Sequence, residues 1–202
     1  MKKTDFEQLM LKYEFAKETL LTELDILIKE YEFNNDRNPV DHVKSRIKTK
    51  ESAIGKLQRR GYEVNLDNIS KHIHDMVGAR IICPFISDVY EIVKIIKNSK
   101  LFKIQDEDNY IANPKESGYS SYHLNILVPI HLNNTVEYIE AEIQIRTMAM
   151  DFWASLDHKM RYKYKKDIPE SIKDQIHNVS VDVKKLDDKM DKINDIINEN
   201  YR

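Results

Sequence analysis

The sequence predicts an α+β fold: a mixed, mainly antiparallel sheet flanked by helices, with a long helix at each end of the chain. Three observations carry this expectation. Segments 120–130 and 135–147 alternate apolar and polar residues on either side of Asn133-Asn134, a turn dipeptide. Segments 5–31 and 169–201 repeat apolar residues at three- and four-residue steps. Glycine (4) and proline (5) are scarce in 202 residues, so breaks are few and elements long.

In order along the chain, Phe6, Leu9, Tyr13, Leu20, Leu24, Leu27 and Tyr31 make one stripe of the first helix, widened by Leu21, Ile26 and Ile28. The turn-rich segment 34–39 ends it. A second helix is expected from about Ser52, closed by Gly61. Segment 79–85 reads as an apolar strand. Ser87 is a candidate cap for a short helix with Val89, Ile92, Val93 and Ile96 on one face. Segment 101–105 reads as a strand. In 120–130, Tyr122, Leu124, Ile126 and Val128 share one face and Ser121, His123 and Asn125 the other. In 135–147, Glu142, Gln144 and Arg146 share a face opposite Ile143 and Ile145. Each strand thus offers an apolar face to a core and a polar face to a cleft. A helix follows from Met148 to about Lys165, with Trp153 read as core. Pro169 opens the last helix, whose Ile172, Ile176, Val179, Val183, Leu186, Met190, Ile193 and Ile197 form a heptad seam.

Composition narrows the function classes. Hydrophobic residues at 41% and charged residues at 33% describe a folded chain. The single cysteine, Cys83, excludes an intramolecular disulfide and suits a reducing compartment. Asp5, Glu7 and Glu14 interrupt the start of the chain, so it lacks the apolar stretch of a signal peptide. No apolar run approaches the roughly 20 residues that span a bilayer. A cytoplasmic location, with no membrane partner, is the expectation. A net charge of -2 gives no global nucleic-acid signature. Charge is nonetheless concentrated between Lys44 and Arg60, where Lys48, Lys50 and others face one acid, Glu51. Such a block suits a compact anion, or simply a solvated helix face.

Four segments can carry chemistry. In the first, Ser52, Lys56 and Arg59 fall at i, i+4 and i+7 on one helical face, and Arg46 and Lys48 share a face if their segment is extended. Together they can grip a triphosphate, arginines by bidentate contacts and lysines as point charges. No glycine-rich phosphate loop is present, so side chains would do the holding. In the second, Asp75 precedes a strand, and with Glu142 it can position Mg²⁺ on a polyphosphate. Neighbouring His72 and His74 suggest zinc, but one cysteine and no further histidine at ligand spacing argue against it. In the third, Gly118 permits a turn that presents Tyr119 as a stacking surface for a purine; standing alone, Tyr119 reads more readily as a half-buried strand-edge aromatic. In the fourth, Glu142 can act as base for a ribose hydroxyl, whose weak acidity requires the proton to leave late. Asp151 can accept from the donor edge of guanine, or be a helix N-terminal acid.

These segments together resemble the RelA/SpoT synthetase domain, specifically the stand-alone small alarmone synthetases of the RelQ type. The resemblance covers nearly the whole chain. It is carried by RIKTKESAIGKLQRR, HDMVGARI, KESGYSSYH and EIQIRTMAMDFWASLDH in that order, followed by the long terminal helix. It implies a nucleotidyltransferase-like synthetase fold in one unit: an N-terminal helix over 1–35, a catalytic core over 40–168 and an oligomerisation helix over 169–202. It implies transfer of the β,γ-pyrophosphate of ATP to the 3′-hydroxyl of GDP or GTP, with GMP a further candidate, releasing AMP, without a covalent enzyme intermediate. It assigns Arg46, Lys48, Ser52, Lys56, Arg59 and Arg80 to ATP, Asp75 and Glu142 to Mg²⁺, and Glu142 to the 3′-hydroxyl. It assigns Lys115, Tyr119, His123, Gln144 and Asp151 to the acceptor, and implies a homotetramer.

Three features depart from the family pattern. Ser120 stands where an arginine is common, the segment before Tyr110 is acidic, and Leu21, Asp25 and Ile28 replace basic residues of the first helix. The last departure leads to an expectation of weak or absent activation by pppGpp. The chain is also too short for the hydrolase domain of long family members. Two other readings remain open: the same fold acting on adenine nucleotides or the 3′ end of tRNA, and a regulator binding single-stranded RNA through 44–60.

Overall fold

The structure, a computed structural model, describes residues 3–163 and 168–201. Its elements run α1 (Lys3–Asn35), β1 (His42–Ile47), α2 (Lys50–Arg59), α3 (Leu66–His72), β2 (Val77–Cys83), α4 (Ile86–Asn98), β3 (Lys103–Asn109), β4 (Tyr122–Leu132), β5 (Thr135–Thr147), α5 (Met148–Lys163) and α6 (Glu170–Tyr201). The expected continuation of α5 to Lys165 lies outside the described residues. Among the described residues, no helix is long and apolar enough to cross a membrane.

The five strands lie in the order β1-β2-β5-β4-β3. β2 pairs parallel with β5, and the other neighbours pair antiparallel, so the sheet is mixed and mainly antiparallel as expected. Asn133 and Asn134 form the β4–β5 turn. Period-two alternation then sorts the side chains. Ala79 and Ile81 of β2, Leu124, Ile126 and Val128 of β4, and Ile143 and Ile145 of β5 are buried in the core. Tyr13, Ala16, Leu20 and Leu24 of α1 and Val89, Ile92 and Ile96 of α4 belong to the same core. The other face carries Lys44 and Arg46, Gly78 and Arg80, Glu142, Gln144 and Arg146, and His123 and Asn125 in register.

Several expectations need correction. β1 was not expected as a sheet strand, because its mixture of Lys, Ser and Arg lacks an apolar alternation; it pairs with β2, Arg46 opposite Gly78 and Lys44 opposite Arg80. α2 begins at Lys50, two residues early, because Thr49 caps it by accepting from the Ser52 amide at 3.3 Å. Its end is as expected: Gly61 has φ +74°, and the Tyr62 amide reaches back to the Leu57 carbonyl at 3.0 Å. The short helix α3, capped by Asn65, was not expected. β2 spans 77–83, not 79–85, and β3 spans 103–109, not 101–105. The acidic end of β3 has no strand pattern of its own and is held by pairing with β4 after a bulge at Ile104/Asp106. Ser87 does not cap α4: Phe85 is the N-cap and makes no side-chain cap bond. Instead the Ser87 amide and hydroxyl both donate to Asp191 of α6, at 3.1 and 2.8 Å. Pro169 lies just outside α6, and its carbonyl accepts the Ile172 and Lys173 amides at 3.0 and 3.1 Å.

The heptad seam of α6 is mostly uncovered. Ile176 is buried, and its carbonyl accepts from the Trp153 indole at 3.2 Å. Val179, Leu186, Met190, Ile193 and Ile197 are exposed.

Candidate active site

The polar face of the sheet forms the floor of the site, and β1 and β2 bring its basic half together. A pocket of about 240 Å³ is lined by Lys44, Ser45, Arg46, Asp75, Gly78, Ala79, Arg80, Glu142 and Gln144. Gly78 sits between Arg46 and Glu142. A β-carbon there would meet nothing closer than 3.9 Å, so the residue leaves room above the strand rather than relieving a clash.

Asp75, at the turn into β2, is gripped from two elements. Lys48 Nζ donates at 2.6 Å and Lys56 Nζ at 2.9 Å, one to each carboxylate oxygen. Burial alone would raise the Asp75 pKa, but bonding to these two ammonium groups outweighs it and holds the carboxyl down at about 2. Lys56 reaches Asp75 because α2 turns its face toward the sheet. Ser52 and Arg59, on exposed positions of the same helix, do not line the pocket. The structure therefore joins Arg46, Asp75 and Arg80 at the pocket, with Lys48 and Lys56 bound to Asp75, and does not bring Ser52 or Arg59 into this group.

Glu142 lies in the middle. His123 Nδ1 approaches its carboxylate at 3.3 Å and Gln144 Nε2 donates at 2.5 Å. Burial pushes its pKa up and the nearby Asp75 charge adds to that, yet the contacts with His123 and Gln144 prevail and hold it below the usual glutamate range. Two carboxylates that stay ionised at neutral pH on one pocket wall are the donor set a hard divalent cation takes, with phosphate oxygens completing the shell.

Arg146 organises the remaining part. It is only 2% exposed. It donates to the Tyr119 hydroxyl at 2.8 Å, to the Gln144 side-chain oxygen at 2.6 Å and to Asp151 at 3.3 Å. Arg80 donates to the same Asp151 oxygen at 3.2 Å. The Tyr119 hydroxyl also lies 2.8 Å from His123 Nε2. That hydroxyl accepts from Arg146, so its own proton can be given to His123 Nε2, an arrangement in which a ring N–H sits on Nδ1 facing Glu142. Burial, first of all, raises the Tyr119 pKa, so the phenol keeps that proton. Lys115 places its ammonium 4.2 Å from the Tyr110 ring centre and 5.4 Å from that of Tyr119. A second hollow of about 440 Å³, between this cluster and α5, is lined by Tyr119, Gln144, Arg146, Ser155 and His158 among others.

Every acceptor-side residue expected from the sequence thus falls in one connected group. Arg146 and Tyr110 were missed as members. Strand alternation had already placed Arg146 on the right face, and only the two-residue step from Gln144 signalled it. Tyr110 carried no local signal, because its neighbours meet across separate elements.

A sheet face that gathers cations, paired ionised carboxylates and an aromatic cage defines an enzyme that handles phosphorylated nucleotides. Residues 45–167 match the family described as the region found in RelA / SpoT proteins. The chain is 45% identical over 186 residues to the GTP pyrophosphokinase YwaC of Bacillus subtilis, covering 92% of this chain and 89% of that protein. It is 34% identical over 194 residues to YjbM, a GTP pyrophosphokinase of the same organism, covering 96% of this chain and 90% of that one. The structure of small alarmone synthetase 1 from Bacillus subtilis bound to its product pppGpp superposes with a TM-score of 0.87 at 34% identity, covering 96% and 99% of the two chains. That of small alarmone synthetase 2 superposes with a TM-score of 0.85 at 44% identity, covering 95% and 98%. The chain belongs to the RelA/SpoT family.

Proposed function

We propose that this protein is a GTP pyrophosphokinase of the small alarmone synthetase type, which moves the β,γ-pyrophosphate of ATP to the ribose 3′-hydroxyl of GDP or GTP and releases AMP. The observation that carries this reading is the arrangement around Glu142: a lowered-pKa carboxylate with the Asp75–Lys48–Lys56 cluster on one side and the Tyr119–His123–Arg146 group on the other.

In this reading Arg46, Lys48, Ser52, Lys56 and Arg59 hold the ATP phosphates, with Arg80 beside the adenine. Tyr119 and Lys115 present the stacking surface for guanine, and Asp151 and Gln144 orient it. Glu142 receives the 3′-hydroxyl proton as the new oxygen–phosphorus bond forms and the α,β-bridge oxygen leaves with AMP. A carboxylate of low pKa is a weak base, so proton transfer follows bond formation and charge stabilisation carries most of the barrier. Asp75 and Glu142 would hold Mg²⁺, which supplies neutralisation of phosphate charge when bound. The bare seam of α6 supports a homo-oligomer, a tetramer by family resemblance, in the cytoplasm.

Labelled ATP with Mg²⁺ and, separately, GMP, GDP, GTP, ADP and deacylated tRNA tests the reading. Label on a guanine nucleotide with release of AMP is the expected result. Label on ADP or tRNA alone would overturn the acceptor, and transfer to none of them would overturn the activity.

A further inference from the structure

The C-terminal helix does more in this structure than display a seam. It grips both pieces of the acceptor subsite from behind, at two separate points. The first is Asp187, which is only 6% exposed on a helix whose neighbouring positions are mostly open. Its carboxylate accepts the hydroxyl proton of Thr147 at 2.5 Å. The same Thr147 oxygen accepts the Met150 amide at 3.1 Å and so caps α5. Thr147 is fully buried, and its hydroxyl has one proton and one acceptor direction committed. Its rotamer, and with it the first turn of α5, is fixed by Asp187. Asp151, the next residue of that turn, is the one held by Arg80 and Arg146.

The second point is Ser180. Gly118 has φ +88°, and a β-carbon built on it would lie 2.0 Å from the Ser180 hydroxyl oxygen and 2.5 Å from its β-carbon. The loop backbone therefore rests directly against α6, one residue before Tyr119. The Lys115 carbonyl accepts the Gly118 amide at 2.7 Å, and the Tyr119 carbonyl accepts the Lys115 amide at 3.1 Å, so a shift at Gly118 moves Lys115 and Tyr119 together.

We propose that Asp187 and Ser180 are positioning residues for the acceptor nucleotide, Asp187 setting Asp151 through Thr147 and Ser180 setting the Lys115–Tyr119 loop. This rests on the acceptor subsite assigned above. Neither residue touches the Asp75–Lys48–Lys56 cluster, so the effect falls mainly on the acceptor, and only the Arg80 bond to Asp151 can pass a smaller effect to the donor. A misplacement of about 1 Å in groups that orient a reactant is enough to cost a large factor in its use.

Kinetics with each substrate varied in turn, together with calorimetric binding of GDP and of a non-hydrolysable ATP analogue, test the proposal on the full chain. Asp187→Ala is expected to raise the KM and Kd for GDP by about tenfold, with those for ATP changed by less than about twofold. Asp187→Asn keeps an acceptor oxygen for Thr147 and should restore values near the parent. Ser180→Val, whose added methyl group presses on the Gly118 backbone from a half-buried helix position, should weaken GDP in the same selective way, and it decides the matter if Asp187→Ala fails to fold. Equal losses for both substrates, or a fall in kcat that tracks melting temperature with GDP affinity unchanged, would overturn the proposal. A parent chain that neither binds GDP nor transfers to it would remove the activity reading itself, which is a different failure.

Discussion

The donor half and the acceptor half of the site are built in opposite ways. On the donor side Arg46, Ser52 and Arg59 are exposed, and the one tight cluster is a pair of flexible lysines on Asp75. On the acceptor side Arg146 and His123 are buried, and Tyr119, Gln144 and Asp151 are joined to them by hydrogen bonds across three elements. Charge can attract a triphosphate without fixing it, and lysine ammonium groups rearrange at low cost. A base recognised by its edge needs donors and acceptors already in place. The difference teaches that the fold invests its rigidity in the nucleotide that supplies the hydroxyl, and leaves adaptable charge for the polyphosphate.

Glu142 belongs to both halves, so its removal gives the largest effect. Glu142→Gln keeps the size and one acceptor oxygen but deletes the base and the charge. We expect kcat to fall by roughly 10² to 10⁴, with the KM for either nucleotide shifted far less. Steady-state kinetics check this. A Gln variant within about tenfold of the parent would remove Glu142 from the chemistry.

A paired substitution then sharpens the contrast. Arg146 uses its planar fork to reach three partners, which a lysine cannot imitate. Arg146→Lys is expected to raise the acceptor KM about tenfold, while Arg46→Lys on the exposed donor edge changes the ATP KM by no more than about threefold. If both substitutions cost the same, the two halves do not differ in the way argued here.

The same contrast explains what the sequence disclosed. The core strands β4 and β5 were legible because an apolar period of two coincides with burial on one face, and the polar face came with them. The donor block was legible because its residues are local: Lys48 and Lys56 are close in the chain and share Asp75 at the turn into the next strand. β1 and the acidic half of β3 were not, since edge strands take their conformation from a neighbour's backbone rather than from their own side chains. Arg146 and Tyr110 were missed for the same reason at the level of the site. Their roles come from contacts across 27 positions, in the case of Arg146 with Tyr119, which no local spacing encodes. Ser87 was misassigned because a cap can be met from another helix, here by Asp191.

The smallest expected effect is one of pH, and its sign differs between half-buried Asp75 and buried Asp187. Asp75 has a folded pKa of about 2 against an ordinary 3.8, so its contribution to stability is present above pH 3.8 and is lost as pH falls through about 2. Asp187 goes the other way. Burial, with the Asp188 and Asp191 charges added and the Thr147 hydroxyl opposing, pushes its pKa up to about 6 from 3.8. Its contribution is fully present below 3.8 and is lost as pH rises through about 6. At neutral pH the docked end of α6 therefore carries an ionised carboxylate that burial disfavours. Asp187→Asn removes this cost while keeping the bond to Thr147. Melting temperature should then rise by a few degrees at about pH 7.5, with the gain disappearing near pH 4. The same rise at both pH values would mean that the gain does not come from removing an ionised carboxylate, and a fall at pH 7.5 would mean that α6 is held at this point by charge.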